Sequence, residues 1–194
     1  MIKKLVMKEK IINPFKYLSM RNALCWGIVA LILASVFYWL NGLRPTSLTQ
    51  LDFGGSRLWI ATARLTAAWA IYAVIMYVVG AFASNSKVRF GDVVAFSMFA
   101  RIPFYVSVLV FAIPSVKSVF ALAMDGNINA MMQHMNVLMA VSVVELLLLV
   151  WSLFWEYKAF AEATNVKNGK GVGCFIAVFI LAYVATGYLL RYIG

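Results

Sequence analysis

The chain has 194 residues, of which 64% are hydrophobic and 12% charged, with a formal net charge of +10. A soluble domain is roughly half apolar and about a quarter charged, so this composition, with a mean hydropathy of +0.88, excludes an ordinary water-borne fold. No RNA- or DNA-binding motif accompanies the positive charge, which speaks for membrane topology and anionic lipid headgroups rather than nucleic acid.

Residues 1–21 form a basic arm in which Ile2, Leu5, Val6, Ile12 and Phe15 recur among lysines at roughly helical spacing. That pattern predicts an interfacial helix with its apolar edge among the headgroups. Asn13 and Pro14 then turn the chain toward the bilayer. Five apolar runs follow, at 22–40, 58–83, 93–113, 137–155 and 171–190. Each matches the roughly 20 helical residues needed to cross a hydrocarbon core of about 30 Å. The runs are continuous rather than alternating, and lipid forces every backbone group to be paired within its segment, so helices are expected rather than a barrel. The expected fold is all-α: a polytopic bundle of five transmembrane helices over residues 22–194. The first run follows a long basic leader and precedes no small-x-small cleavage site, and is read as a retained anchor.

Cytoplasmic connections retain Lys and Arg. The arm and the second and fourth loops carry 11 of these residues, against 4 on the opposite side. The N-terminus is therefore expected inside and the C-terminus outside. The connection at 114–136 contains AMDGNINAMMQHMN, where Asp125, Gly126 and Asn127 are turn formers. A turn is expected there, followed by a helical extension of the fourth crossing, with Met124, Met131, Met132 and Met135 on the headgroup region.

Catalytic chemistry has little to work with. His134 is the only histidine and falls in the third loop, so no multi-histidine metal site and no Ser-His dyad embedded in the membrane can be built, and neither metal nor cofactor is expected. RFGD at 89–92 has Arg89 where an intramembrane aspartyl protease needs glycine; Asp92 reads instead as the start of a helix, near its positive dipole end. NGKGVG at 168–173 lacks the spacing of a phosphate loop and reads as a turn into the last crossing. Cys25 and Cys174 read as small packing residues. Trp39, Trp59, Trp151, Trp155, Tyr157 and Tyr188 fit an interfacial belt. Gly169 and Gly173 form a small-xxx-small pair suited to close helix packing, within or between protomers.

The remaining signal is charge inside lipid: Arg64, Arg101 and Glu145, with Pro103 two residues beyond Arg101 as a kink. Counting from the run ends places Arg101 about 12 Å and Glu145 about 18 Å from the inner edge. An isolated charge near the midplane costs at least about 2.5 kcal/mol, so Glu145 is expected to pair with Arg101, Arg64 or both.

The sequence resembles the Yip family of five-span membrane proteins, through INPFKYL at 12–18, KVRFGDVVAFSMFARIP at 87–103 and WSLFWEYKAFAEATNVKNGKGVG at 151–173. The resemblance covers essentially the whole chain and implies the bacterial branch, in a bacterial cytoplasmic (inner) membrane. Eukaryotic members interact with Rab GTPases and carry a longer cytoplasmic N-terminal region and an Asp-Leu-Tyr-Gly-Pro type motif. No such motif stands in residues 1–21, so Rab binding is not carried over.

These readings point to a non-enzymatic integral membrane protein organising membrane or partner proteins, with a homo-oligomer or a membrane protein as partner. The alternative is a small transporter or channel using Arg64, Arg101 and Glu145; an unrecognised membrane enzyme is a distant third. Transport requires a water-filled cavity around those charges, whereas a scaffold requires them paired and dry.

Overall fold

A computed structural model describes residues 12–55 and 57–193. The chain is an all-α bundle with five helical segments long and apolar enough to cross a membrane: Met20–Leu40, Leu58–Ala83, Phe90–Ala112, Met135–Thr164 and Asn168–Tyr192. The third is broken. Helix α1 is Met20–Leu40 and α2 is Leu58–Ala83; α3, Phe90–Ala100, meets α4, Ile102–Ser107, at Arg101, and a 3-10 stretch, Val108–Ala112, completes the crossing. Pro103 sits in the first turn of α4, just after the break at Arg101, where its missing N–H is least missed.

Local signals mark the ends. Ser19 caps α1 by accepting from the Asn22 N–H at 3.3 Å, and Asp92 lies in the first turn of α3, where the helix dipole favours a carboxylate. The connection at 114–136 is more ordered than a turn plus an extension. Helix α5, Pro114–Met124, lies before the turn and buries Val116 and Val119, while α6, Ile128–Met132, lies after it. Gly126, at φ +73°, makes the turn, and Asn127 caps α6 through the Ala130 N–H.

Helix α7, Met135–Thr164, has 30 residues. At 1.5 Å per residue it is about 45 Å long, well beyond a hydrocarbon core, so it continues past the expected end at residue 155. It stops at Asn165, in the left-handed conformation. Helix α8, Asn168–Leu189, begins directly with the NGKGVG segment, which is helix rather than turn. Packing runs α1 on α3, α2 on α8, α3 on α7 and α1 on α2.

Three further features differ from the sequence reading or lie outside it. The connection between α1 and α2 is an antiparallel hairpin, β1 Leu43–Pro45 paired with β2 Leu51–Phe53, entered through Gly42 at φ +66°. Its tip points inward: Ser47 and Leu48 are buried. Phe15 does not share an interfacial edge with Ile12, which is exposed. Pro14 opens a short 3-10 turn that drives Phe15 into the bundle, edge-on to Phe96, Phe99 and Trp155. Ile2, Leu5 and Val6 lie outside the described residues. Within the chain, no close approach is made at Gly169 or Gly173, where an added Cβ would meet nothing within 4 Å; it is made at Gly27 against Met98, Gly80 against Thr164 and Gly171 against Val166 in the preceding turn. Both cysteines are free, Cys25 exposed and Cys174 half-buried.

Candidate functional site

Arg101 is the hub of the bundle. The break at Pro103 points its side chain inward at the α3–α4 junction, where it is only 1% exposed. Nη1 faces Glu156 Oε1 of α7 at 3.4 Å, an ion pair with both side chains 1% exposed. Nη2 donates to the Leu48 carbonyl at the hairpin tip. The guanidinium carbon lies 4.7 Å from the Phe104 ring centroid and 5.8 Å from that of Tyr105, distances at which an aromatic face attracts a cation. Leu48 is held from the other side too, because the hydroxyl of Thr186 on α8 accepts its N–H at 2.8 Å. One guanidinium thus ties the third crossing, α7 and the hairpin together, and Leu48 links that knot to α8.

Tyrosine hydroxyls surround the knot. Tyr38, Tyr72 and Tyr105 are buried, with hydroxyl oxygens that have no hydrogen-bond partner among the described residues; the same holds for Arg101 Nε and Glu156 Oε2. Tyr72 lies within electrostatic range of both Arg101 and Glu156, and Tyr38 within range of Arg101. The arrangement is an ion pair in a ring of polarisable aromatic groups. It can hold charge and dipoles in place, but it carries no nucleophile paired with a base. Among the described residues no group of His, Cys, Asp and Glu is arranged to hold a metal ion.

The expected partner, Glu145, belongs to none of the ion pairs formed among the described residues. It is half-buried three turns before Glu156 on α7 and lines a groove of about 380 Å³ with Thr49, Phe104 and Ser107. The reason for the change of partner is axial depth. Arg101 is 11 residues, or about 16 Å, beyond the start of α3, and Glu156 is 8 residues, or about 12 Å, before the end of α7, counted from the same end of the bundle. Glu145 is three turns farther away. Arg64 does not join Arg101 either: its Nε donates to the Ile193 carbonyl at 2.8 Å and its Nη1 to the Pro45 carbonyl at 3.1 Å. The three charges predicted to cluster are therefore distributed over three places, Arg101 in the core, Arg64 at the hairpin end and Glu145 in the groove. The missed residues are Glu156, Thr186 and the backbone of Leu48.

The segments that position this knot are those the family resemblance rests on: Phe15 in INPFKYL, Arg101 and Pro103 in ARIP, and Glu156 in FWEYKAF. The Yip1 domain signature matches residues 10–189. The chain belongs to the Yip1 domain family. No curated protein and no solved structure matches it. In this Yip1-domain protein the ion pair, its carbonyl acceptor on the hairpin and the proline break all fall inside the matched region.

Proposed function

We propose that this protein is a non-enzymatic scaffold of the bacterial branch of its family, organising membrane or partner proteins from the cytoplasmic (inner) membrane, with its N-terminus inside. The observation that supports the reading is the way Arg101 is satisfied. Its two terminal nitrogens are used by Glu156 and Leu48 and its face by Phe104, which is how a bundle is held together rather than how an ion is passed along. Transport would instead keep such a charge accessible to a water-filled path. A scaffold also needs lateral surface, and α7 offers it: Leu146, Leu147 and Val150 are each more than half exposed. Lipid or a neighbouring membrane helix, including that of a second copy, would cover this face; basic residues of the arm would hold anionic headgroups.

The test is twofold. A photo-crosslinking residue at Leu147, used in native membranes, should join the chain to a reproducible membrane protein or to a second copy. The same residue at buried Leu65 should give no such adduct. Purified protein in vesicles should show no ion conductance; a conductance abolished by Arg101→Gln would replace this reading with that of a channel.

A further inference from the structure

A carboxylate outside the knot sits where a bilayer offers it no water. Glu145 is ten residues, about 15 Å, past the start of α7, so it lies at mid-core depth. Its Oε1 is buried and has no hydrogen-bond partner among the described residues. Arg101 does not supply one, being committed to Glu156 and to the Leu48 carbonyl. Ser107 lies beside the carboxylate, but a hydroxyl has one proton, and this one is given to the Phe104 carbonyl at 2.8 Å. The groove of about 380 Å³ that Glu145 lines has no Lys or Arg among its described lining residues. A charge left alone at that depth is costly, so the carboxylate calls for a cationic donor.

The rest of the groove narrows the kind of donor. Past Glu145 it continues into a lobe of about 350 Å³ walled by Phe53, Phe111 and Phe120. These three rings pack on one another, Phe53 and Phe120 stacked at 5.0 Å between centroids, and form an aromatic wall of the sort that accepts the carbons next to an ammonium. The mouth is rimmed by the exposed Leu146 and Leu149 of α7, so it opens toward the hydrocarbon. A hydrated metal ion neither arrives by that route nor uses an aromatic lobe, and a proton on Glu145 leaves the lobe unused. A lipophilic amine satisfies both ends. Pockets for small molecules have this make-up, roughly 300–1,000 Å³ of mostly apolar wall with a few converging polar groups. We propose that the groove binds a small lipophilic amine, with its ammonium on Glu145 and its apolar body in the aromatic lobe. The site goes beyond the scaffold reading and stands whether or not the protein is a scaffold.

The experiment uses the full chain in phosphatidylcholine nanodiscs, with empty nanodiscs as the blank, and 4-phenylbutylamine as the probe. Binding is followed by titration calorimetry and by the thermal unfolding midpoint. The amine should bind saturably and raise the midpoint, while 4-phenylbutanol, its neutral counterpart, should do neither. Glu145→Gln keeps the shape of the side chain and removes its charge; it should weaken binding at least about ten-fold, as expected for losing one charge-assisted contact. Ser142→Trp keeps the carboxylate and fills the groove from the exposed face of α7, and should abolish binding. Replacing Lys3, Lys4, Lys8 and Lys10 together by Gln should leave binding unchanged. Equal binding of the alcohol, unchanged binding in Glu145→Gln, or binding that survives Ser142→Trp would each overturn the proposal. So would tighter binding in the lysine variant, which would make an arm lysine the occupant, or a co-purified membrane protein that must be removed before the amine binds.

Discussion

Glu156 and Glu145 sit on the same helix, eleven residues apart, and only one of them faces a cation. Removing one member of a buried pair leaves the other charge uncompensated, at a cost of about 3 kcal/mol, whereas replacing both with apolar groups costs much less. Glu156→Gln is therefore expected to lower the thermal midpoint in detergent markedly, and Arg101→Met combined with Glu156→Leu to be more stable than either single change. Glu145→Gln should stay within about 0.5 kcal/mol of the parent. A larger loss for Glu145→Gln than for Glu156→Gln would return Arg101 to its sequence-predicted partner. The need for a partner was legible in Arg101 alone, because a charge in lipid must be compensated. Which carboxylate supplies it was not, because the apolar run was ended at Trp155, one residue short of Glu156, while the helix itself continues to Thr164.

Element by element, the crossings were readable because bilayer thickness and backbone pairing leave few choices, and the break at Pro103 because proline cannot join an uninterrupted helix. The hairpin was not. Residues 41–57 fall between two apolar runs and carry no signal of their own for a buried tip, because the inward turn of Ser47 and Leu48 depends on acceptors and donors far along the chain. Thr186→Val would leave the buried Leu48 N–H unpaired, at about 1–3 kcal/mol. Amide exchange at 46–50 should then quicken relative to α2; unchanged exchange would mean that Thr186 does not hold the tip. Small residues give a second contrast. A Cβ at Gly171 would come 2.6 Å from the Val166 carbonyl oxygen, a backbone atom that cannot swing away, so Gly171→Ala should cost about 1–3 kcal/mol. Gly169→Ala and Gly173→Ala, which meet nothing, should be neutral or stabilising by up to about 1 kcal/mol through helix propensity. Thermal unfolding of the three variants side by side decides this, and a loss at Gly173 would point to packing between copies.

For the whole molecule, charge asymmetry and the number of crossings together predict orientation. A reporter fused after Gly194 should be active outside the cytoplasm and one inserted at 165–170 inside it, following the 11 to 4 distribution of basic residues. Activity of both fusions on one side would contradict a five-crossing path. The hairpin tip also imposes an order on biogenesis. Leu48 enters the membrane early, yet the side chains that grip its backbone lie 53 and 138 residues later in the chain. While the ribosome is still delivering those residues, the tip has no receptor, and its loop must wait at the surface as the later crossings arrive and close around it. A nascent chain arrested before the last crossing should thus leave residues 46–50 open to protease or to a cysteine label, and the completed chain should shut them away.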